Sequence, residues 1–324
     1  MIRSWFKSSV MIVALLVSAH AGAGAAEKIT FMIDWLPSGD KAVPYLGVQK
    51  GLFAAEGLEV TIQSGRGSSD VVTKLGTGGL SALLQAKAES KVPVKAIYSI
   101  YTLQPDAIFT AEGSGITTLK DVAGKKIATA TFSSSNVAWP LVLQANGVDP
   151  ATVELLKVDP GALAPMLAAG RVVATINWTT VAPAFEKPLA ETGKKLKVIP
   201  WSQFGYDGYG LSVFVSDKML AERKDTVTKF LRAYARATEL AIADPKAAAA
   251  ALKTMVPEID EAVAQAQFVA SVPLMVNEIA KANGAGTFQK ALLAKTWEWT
   301  AKAQNMPLDK LDPETAVDRS LLAN

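Results

Sequence analysis

The sequence has no cysteine, and its only histidine is His20. The lack of cysteine excludes disulfides, thiolate metal sites and cysteine nucleophiles. His20 lies in a segment with the features of a removable leader, so the rest of the chain has neither residue type. That excludes Ser-His-Asp and Cys-His mechanisms, most zinc sites and the commonest general base near neutral pH. A hydrolase or a metalloenzyme is therefore a poor first interpretation.

An excess of charge of either sign is also missing. The 324 residues include 33 basic and 30 acidic side chains, a net charge of +3. Without Arg3 and Lys7 of the leader the balance is 31 − 30 = +1. No run or stripe of basic residues is present, so we expect no nucleic-acid partner. Beyond the leader no apolar run approaches the roughly 18 residues of a membrane span.

The first 26 residues have the three parts of a secretory signal peptide. A positive start is followed by an apolar run at 10–17 and then by small residues. No cysteine follows the apolar run, which excludes a lipid anchor attached through an N-terminal cysteine. We therefore expect residues 1–26 to be cleaved and the protein to be periplasmic. Cleavage is compatible with three positions, after Ala21, Ala23 or Ala26.

Short apolar runs alternate with amphipathic stretches in the remainder, which is typical of an α/β fold. The predicted strands are 28–34, 58–63, 94–101, 126–129, 153–158, 172–177 and 211–215. The predicted helices are 45–56, 136–144, 162–169, 224–243, 245–254, 258–268 and 288–303. The last four form an alanine-rich helical tail. This order suits two α/β lobes with the tail packed on the first lobe.

Two predicted strands end in a polar residue followed by tryptophan. Asp34 and Trp35 follow the first strand, and Asn177 and Trp178 end a later one. Ligands of open α/β sheets dock at the carboxyl ends of the strands, and an indole offers a flat face to an aromatic ligand. The alternative for each tryptophan is a place in the core. We take all four residues as candidate ligand-binding residues.

Three further segments carry candidate polar groups. Ser133, Ser134 and Asn136 open a helix, where hydroxyls and free N–H groups can hold a polar ligand or simply cap the helix. Tyr206 and Asp207 lie in a Gly/Tyr loop at 205–210, which can serve as a hinge or supply a phenol and a carboxylate. Arg66, in the turn at 65–69, is a candidate anion contact or a residue of an exposed capping turn.

The chain resembles the periplasmic solute-binding proteins of ABC importers, in the branch that serves nitrate, sulfonates and thiamine-precursor pyrimidines. The resemblance covers nearly the whole chain after the leader. The matching motifs are Asp34-Trp35-Leu36-Pro37, the stretch at 45–53 with Glu56-Gly57-Leu58, Val158-Asp159-Pro160, and 205–209 with Ser216-Asp217-Lys218.

The resemblance implies a type II-like periplasmic binding protein, with two lobes, a hinge between them and a helical C-terminal tail. The expected domains are 27–115 with 213–324 for the first lobe and 116–212 for the second. The lobes are expected to close on a ligand and the closed form to dock on a permease in the inner membrane. The resemblance places Trp35 against a heteroaromatic ring, with the other walls formed by Asp34, Asn177, Trp178, Tyr206 and Asp207.

A pyrimidine-like ring is the expected cargo, because carboxylates outnumber guanidinium groups among these residues. A related eukaryotic enzyme makes the thiamine pyrimidine from its own histidine beside a cysteine-rich iron site, and this chain has neither residue after the leader. The sequence therefore predicts a monomeric binding protein without a cofactor, and not an enzyme.

Four alternatives stay open at this point. The same lobes could hold a sulfonate, nitrate or another small anion through the 133–135 serines and Arg66. The family pattern has a short strand and a glycine-rich loop after the turn at 77–79, and Gly79 here leads directly into a helix. That deletion allows a degenerate paralogue that binds nothing. An exported glycosidase would use carboxylates alone, and a sensor ectodomain would need a following membrane segment.

Overall fold

The structure is a computed structural model that describes residues 25–322. The signal peptide expected at 1–26 lies almost wholly outside these residues. Strands and helices alternate as far as residue 216, and helices follow, as the apolar pattern predicts. The strands are β1 (Glu27–Ile33), β2 (Leu58–Ser64), β3 (Gly76–Gly79), β4 (Val94–Ser99), β5 (Asp106–Ala111), β6 (Lys126–Ala130), β7 (Glu154–Val158), β8 (Ala174–Trp178), β9 (Leu196–Pro200) and β10 (Leu211–Ser216).

The α-helices lie between these strands and after the last of them. They are α1 (Val43–Gln49), α2 (Leu52–Ala55), α3 (Ser68–Val71), α4 (Leu80–Ser90), α5 (Ser135–Ala145), α6 (Leu163–Ala168), α7 (Pro183–Ala190), α8 (Asp217–Glu222), α9 (Lys224–Ala243), α10 (Pro245–Met255), α11 (Glu261–Met275), α12 (Glu278–Asn283) and α13 (Lys290–Ala303). The single helix expected at 45–56 is divided into α1 and α2, because Gly51 between them has a positive φ of 68°.

Two five-stranded sheets have the same topology. The first has the order β2-β1-β3-β10-β4, and the second β7-β6-β8-β5-β9. In the first sheet β1 is parallel to both its neighbours, and β10 is antiparallel to both of its own. In the second sheet β6 is parallel to both its neighbours, and β5 is antiparallel to both of its own. Each sheet with its flanking helices forms one lobe, and the chain crosses between lobes at 100–105 and again at 201–210.

These crossings differ from the lobe boundaries expected from the sequence. A first lobe of 27–115 includes β5, but β5 pairs with β8 and β9 and so belongs to the second sheet. The expected change from 212 to 213 falls inside β10, which pairs only in the first sheet. Neither β5 nor β9 has the alternation of apolar and polar residues that identifies a strand in the sequence.

The strand β3 consists of Gly-Thr-Gly-Gly, a composition that indicates a turn and not a strand. A Cβ on Gly76 would lie 2.2 Å from the Met32 carbonyl oxygen, and one on Gly78 would lie 2.5 Å from the Phe214 ring. The neighbouring strands therefore leave no room for side chains here. Packing of the sheet, and not local preference, requires these glycines.

Helices α9 and α10 of the tail pack on the first lobe, as the sequence predicts, whereas α11 and α13 also contact α7 and α5 of the second lobe. The Phe230 ring of α9 stacks on Phe53 at 5.2 Å between centroids and lies 4.8 Å from Phe31 of β1. These rings belong to a core that β1, β10 and α9–α11 share. Two further apolar clusters cover the two faces of the second sheet. Among residues 25–322, no helix is both long enough and apolar enough to cross a membrane.

Candidate functional site

A cavity lies between the two sheets, at the carboxyl ends of β1, β6 and β8. It encloses about 350 Å³ of space, part of which is open to solvent. Its enclosed part has room for about one water molecule, so a larger ligand would enter only with the lobes moved further apart. Its walls are formed by Asp34, Trp35, Asp40, Lys41, Ser68, Ser133, Ser134, Asn177, Trp178 and Val181.

Asp34 is held rigidly at the end of β1. Its side chain is buried, and its two carboxylate oxygens accept hydrogen bonds from different hydroxyls, Thr77 Oγ1 and Ser68 Oγ, both at 3.1 Å. The Asp34 N–H in turn donates to Thr77 Oγ1 at 3.1 Å. The glycine-rich strand β3 thus positions this carboxylate through its one hydroxyl.

Lys41 is a lysine buried in the cavity wall, and sequence reasoning missed it. The residue is only 4% exposed, and its Nζ lies 3.1 Å from Asp34 Oδ1 and 3.5 Å from Asp40 Oδ2. The same ammonium lies 4.5 Å from the ring centroid of Trp178. Two carboxylates and the face of an indole therefore surround the Lys41 ammonium. Lys41, Asp34 and Asp40 together carry a formal charge of −1.

Asp40 connects the two lobes. Ser38 Oγ of its own loop donates to Asp40 Oδ1 at 2.6 Å, and Thr180 Oγ1 of the second lobe donates to Asp40 Oδ2 at 2.8 Å. All three residues are buried. The loop that carries Asp40 is fixed against α11, since the Gly39 N–H donates to Gln267 Oε1 at 2.8 Å.

The two tryptophans of the cavity each pack against the other lobe. Trp35 follows β1 of the first lobe and packs on the apolar cluster around Phe109 and Phe185 in the second. Trp178 ends β8 of the second lobe and packs on the main core of the first, with its ring 6.1 Å from that of Tyr101. The arrangement of the lobes therefore depends on residues that also line the cavity.

Asp106 lies directly behind Trp178, with which it pairs in the register of β5 and β8. Burial raises the pKa of Asp106 to about 6, and the neighbouring polar side chains of Ser135 and Trp178 oppose this shift. The phenol of Tyr206 faces this carboxyl, and burial together with the charge of Asp106 raises the pKa of Tyr206 well above its usual range.

The turn that contains Gly79 is covered by the second lobe. A Cβ on Gly79 would lie 2.4 Å from Ser134 Oγ, and the Gly79 N–H donates to Ser68 Oγ at 2.9 Å. Nearby, a Cβ on Gly67 would lie 2.3 Å from the Phe132 backbone. The two lobes are therefore in close contact at Gly67 and Gly79.

The structure brings together six of the nine candidate residues: Asp34, Trp35, Ser133, Ser134, Asn177 and Trp178. Asn136 is not among the lining residues, because its side chain bonds to Thr129 and to two carbonyl oxygens of the loop at 130–131. It braces the loop that carries the two serines. Arg66 does not line the cavity either, and its guanidinium lies 5.4 Å from the ring of Phe132.

Tyr206 and Asp207 also lie away from the cavity. Tyr206 is 2% exposed and its ring packs edge-on against Trp201 and Trp299. Asp207 is half-exposed and pairs with Lys295 at 2.6 Å. Both residues belong to the second crossing segment between lobes, where they line a separate cavity together with Gln104 and Lys295.

Sequence reasoning missed four lining residues, namely Asp40, Lys41, Ser68 and Val181. A charged pair in a loop rich in proline, serine and glycine is usually solvated. The available signal was position, because this pair follows the Asp34-Trp35 motif in the loop that leaves the end of β1. Among the described residues, no group of three or more acidic or histidine side chains could hold a metal ion.

Comparison with known proteins adds a family and two groups of relatives. The family described as NMT1/THI5 like matches residues 39–248. The riboflavin-binding protein RibY of Chloroflexus aurantiacus is 24% identical over 295 residues, which cover 86% of this chain and 81% of that protein. The 4-amino-5-hydroxymethyl-2-methylpyrimidine phosphate synthase of Candida albicans is 28% identical over 241 residues, 69% of this chain and 70% of that protein.

The fold is shared with a solved structure of a binding protein. The alkanesulfonate-binding protein SsuA of Xanthomonas axonopodis pv. citri, bound to MOPS, superposes with a TM-score of 0.67 at 17% identity. The match covers 92% of this chain and 99% of that one. It confirms the predicted two-lobed periplasmic-binding-protein fold.

The synthase name of the Candida albicans relative corrects one expectation from the sequence, namely that the protein is not an enzyme. The lack of cysteine and of any histidine after His20 excludes particular mechanisms. It does not separate the chain from a family whose curated members include enzymes. The prediction of a non-enzyme rested on these residue types and on the resemblance to binding proteins, and the relatives named as synthases contradict it.

Proposed function

Because the chain belongs to the NMT1/THI5-like family, we propose that it is the periplasmic substrate-binding component of an ABC importer. Its cargo in this proposal is a small aromatic heterocycle that resembles a thiamine-precursor pyrimidine. The two lobes close on the cargo, and the closed monomer delivers it to a permease in the inner membrane. Export through a cleaved signal peptide at 1–26 places the protein in the periplasm.

The observation that carries this proposal is the pair of tryptophans on opposite sides of one cavity. Trp35 comes from the first lobe and Trp178 from the second, and both line the space between the sheets. An aromatic ring stacked on an indole gains ~0.5–1.5 kcal/mol beyond the burial of its area. A flat ligand between the lobes would contact both indoles only when the lobes are closed, so its binding favours closure.

The charges around the cavity favour a neutral or weakly basic ring over a small anion. Lys41 is the only cationic side chain among the lining residues, and Asp34 and Asp40 both lie within 3.5 Å of its ammonium. A sulfonate or nitrate in this space would meet a net formal charge of −1. The second candidate cation, Arg66, lies outside the lining. The hydroxyls of Ser133 and Ser134 before α5 are the observation that favours an anionic cargo, and the net charge makes it the weaker candidate.

The test is isothermal titration calorimetry of the mature protein with three ligands. They are 4-amino-5-hydroxymethyl-2-methylpyrimidine, riboflavin and MOPS. We expect one of the two heterocycles to bind and MOPS not to bind. Trp35→Ala should weaken binding of that heterocycle at least about tenfold, the loss of stacking plus buried area. Trp35→Phe, which keeps an aromatic face, should recover part of it.

Leu36→Ala is the matched control, because Leu36 is the next residue, is exposed and does not line the cavity. It should leave the affinity unchanged. If only MOPS binds, the cargo is an anion and the proposed heterocycle is wrong. If none of the three ligands binds, the result favours a paralogue that has lost its ligand. Mass spectrometry of the released heterocycle shows whether it leaves the protein unchanged or converted.

A further inference from the structure

Two buried polar atoms of the cavity make no well-aligned hydrogen bond among residues 25–322, although the Lys41 ammonium is ion-paired with Asp34 and Asp40. One is Nζ of Lys41, and the other is Oδ1 of Asn177; each residue is 4% exposed. Both residues line the cavity. Buried polar groups are nearly always hydrogen-bonded, and one left without a partner costs ~1–3 kcal/mol or more. A ligand in the cavity can donate to Asn177 Oδ1 and accept from Lys41, whose ammonium has one N–H more than its two carboxylate neighbours use.

The other polar atoms around them are already engaged. The carboxylate oxygens of Asp34 and Asp40 each accept a hydrogen bond from a hydroxyl. The amide nitrogen of Asn177 donates to Thr175 Oγ1 at 2.7 Å. The unused capacity is therefore one donor with a positive charge, at Lys41, and one neutral acceptor, at Asn177.

The position of the Lys41 ammonium also restricts the charge that a ligand of the cavity can carry. Lys41 sits between two carboxylates and over the Trp178 ring, the environment that would otherwise hold the cation of a ligand. The Lys41 ammonium thus occupies the position in the cavity that would suit a cationic group of a ligand. A cationic ligand would compete with Lys41, and an anionic one would face the net negative charge. A neutral ligand avoids both costs.

We infer that the ligand is a neutral heterocycle carrying both a hydrogen-bond acceptor, for Lys41 Nζ, and an N–H donor, for Asn177 Oδ1. This inference rests on the proposed function and makes Lys41 and Asn177 its specificity-determining residues. An aminopyrimidine offers a ring nitrogen and an exocyclic amine. A flavin offers a carbonyl oxygen and a ring N–H. The two ligands share this chemistry, and the experiment distinguishes them.

The donor is tested by blocking it on the ligand. Calorimetry compares 4-amino-5-hydroxymethyl-2-methylpyrimidine with its 4-dimethylamino analogue, and riboflavin with 3-methylriboflavin. We expect the blocked analogue of the true ligand type to bind about tenfold more weakly than its parent. In Asn177→Leu the parent should weaken and the difference between parent and blocked analogue should disappear. That loss of difference is the result a merely structural role of Asn177 would not produce.

The acceptor is tested on both partners. A deaza analogue of the pyrimidine, with CH in place of the ring nitrogen, needs no change in the protein. On the protein side, Lys41→Met combined with Asp40→Asn keeps the formal charge of the site at −1. We expect the pair to bind the parent roughly 10–100-fold more weakly, as for a hydrogen bond to a charged group. Circular dichroism and the melting temperature check that the double variant folds. If it does not fold, the affinity of the wild-type protein for the deaza analogue tests the acceptor.

The outcomes separate this inference from the proposed function. If a parent heterocycle binds and its blocked and deaza analogues bind equally well, the inference fails and heterocycle capture stands. If neither parent heterocycle binds, the proposed function fails and takes the inference with it. Tighter binding of a cationic heterocycle than of its neutral analogue would also overturn the inference, because Lys41 should exclude it.

Discussion

Replacing Asp106 by asparagine should change the pH dependence of stability in a calculable way. Asp106 is buried behind Trp178, and burial raises its pKa from 3.8 to about 6. A buried carboxyl with a raised pKa holds its proton more tightly in the folded than in the unfolded chain. Folding is therefore favoured by this group at low pH, and the contribution is lost as the pH rises from about 4 to about 6.

The size of this loss follows from the two pKa values. A change from 3.8 to about 6 corresponds, at ~1.36 kcal/mol per pH unit, to about 3 kcal/mol of unfolding free energy. Asparagine has the shape of the neutral carboxyl and does not ionise. The stability of Asp106→Asn relative to the wild-type protein should therefore rise by about 2.5 kcal/mol between pH ~4 and pH ~7, since part of the full change falls below pH ~4.

Urea denaturation at these two pH values, followed by tryptophan fluorescence and by circular dichroism, measures the difference. Other carboxyl groups titrate equally in both proteins and cancel, provided that the two probes give coincident transitions. A difference independent of pH, or one that falls as the pH rises, would refute the reasoning.

Asp121→Asn is a control of opposite sign. Hydrogen bonds from the backbone and side chain of Thr117, and from Thr118, lower the pKa of the exposed Asp121 to about 2. A carboxyl with a lowered pKa stabilises the fold above its unfolded value of 3.8, and that contribution is lost as the pH falls toward 2. The wild-type protein should therefore lose its advantage over this variant in acid, whereas it gains relative to Asp106→Asn there.

Two further predictions concern the loop that carries the buried lysine. Gly39→Ala should prevent folding or lower the melting temperature severely, because its Cβ would lie 1.7 Å from a backbone oxygen of α11; Gly161→Ala, with its nearest atom at 4.0 Å, should have little effect. Thr180→Val removes the hydrogen bond between the lobes to Asp40 and should cost roughly 1.5–3 kcal/mol in urea denaturation. An equal loss in Thr228→Val, where the half-buried threonine donates its hydroxyl only within α9, would contradict the second prediction.

The strands that the sequence predicts well are those whose own residues alternate or form short apolar runs between turn signals. β1, β2 and β7 are examples, each within a residue or two of its predicted bounds. β3 could not be predicted, because its glycines are required by the Met32 carbonyl and the Phe214 ring, which only the folded sheet brings there. Local pattern carries no information about such a contact.

The same distinction applies to the cavity. Residues at the carboxyl ends of strands, such as Trp35 and Trp178, were predictable because the topology of an α/β sheet brings those ends together. The buried state of Lys41 was not, since the indole that covers its ammonium belongs to Trp178 of the second lobe, although both carboxylates are close in sequence. Tyr206 is a residue type that often contacts ligands, but the crossing segment directs its side chain toward Trp201 and Trp299.

Opening of the lobes and recognition of the ligand use the same residues in this protein. Trp35 and Trp178 each pack on the opposite lobe, and Thr180 bonds to Asp40 across the cleft. A substitution at any of them changes the equilibrium between open and closed forms. A change in that equilibrium alone scales the affinity for every ligand that binds the closed form by the same factor.

Loss of a direct contact acts differently, because it weakens only the ligands that make the contact. Asn177→Leu should therefore alter the order of affinities among parent and blocked heterocycles, whereas Thr180→Val should lower them all together. It follows that the ranking of ligands, and not the affinity for one of them, is the quantity that identifies a residue as part of the recognition site.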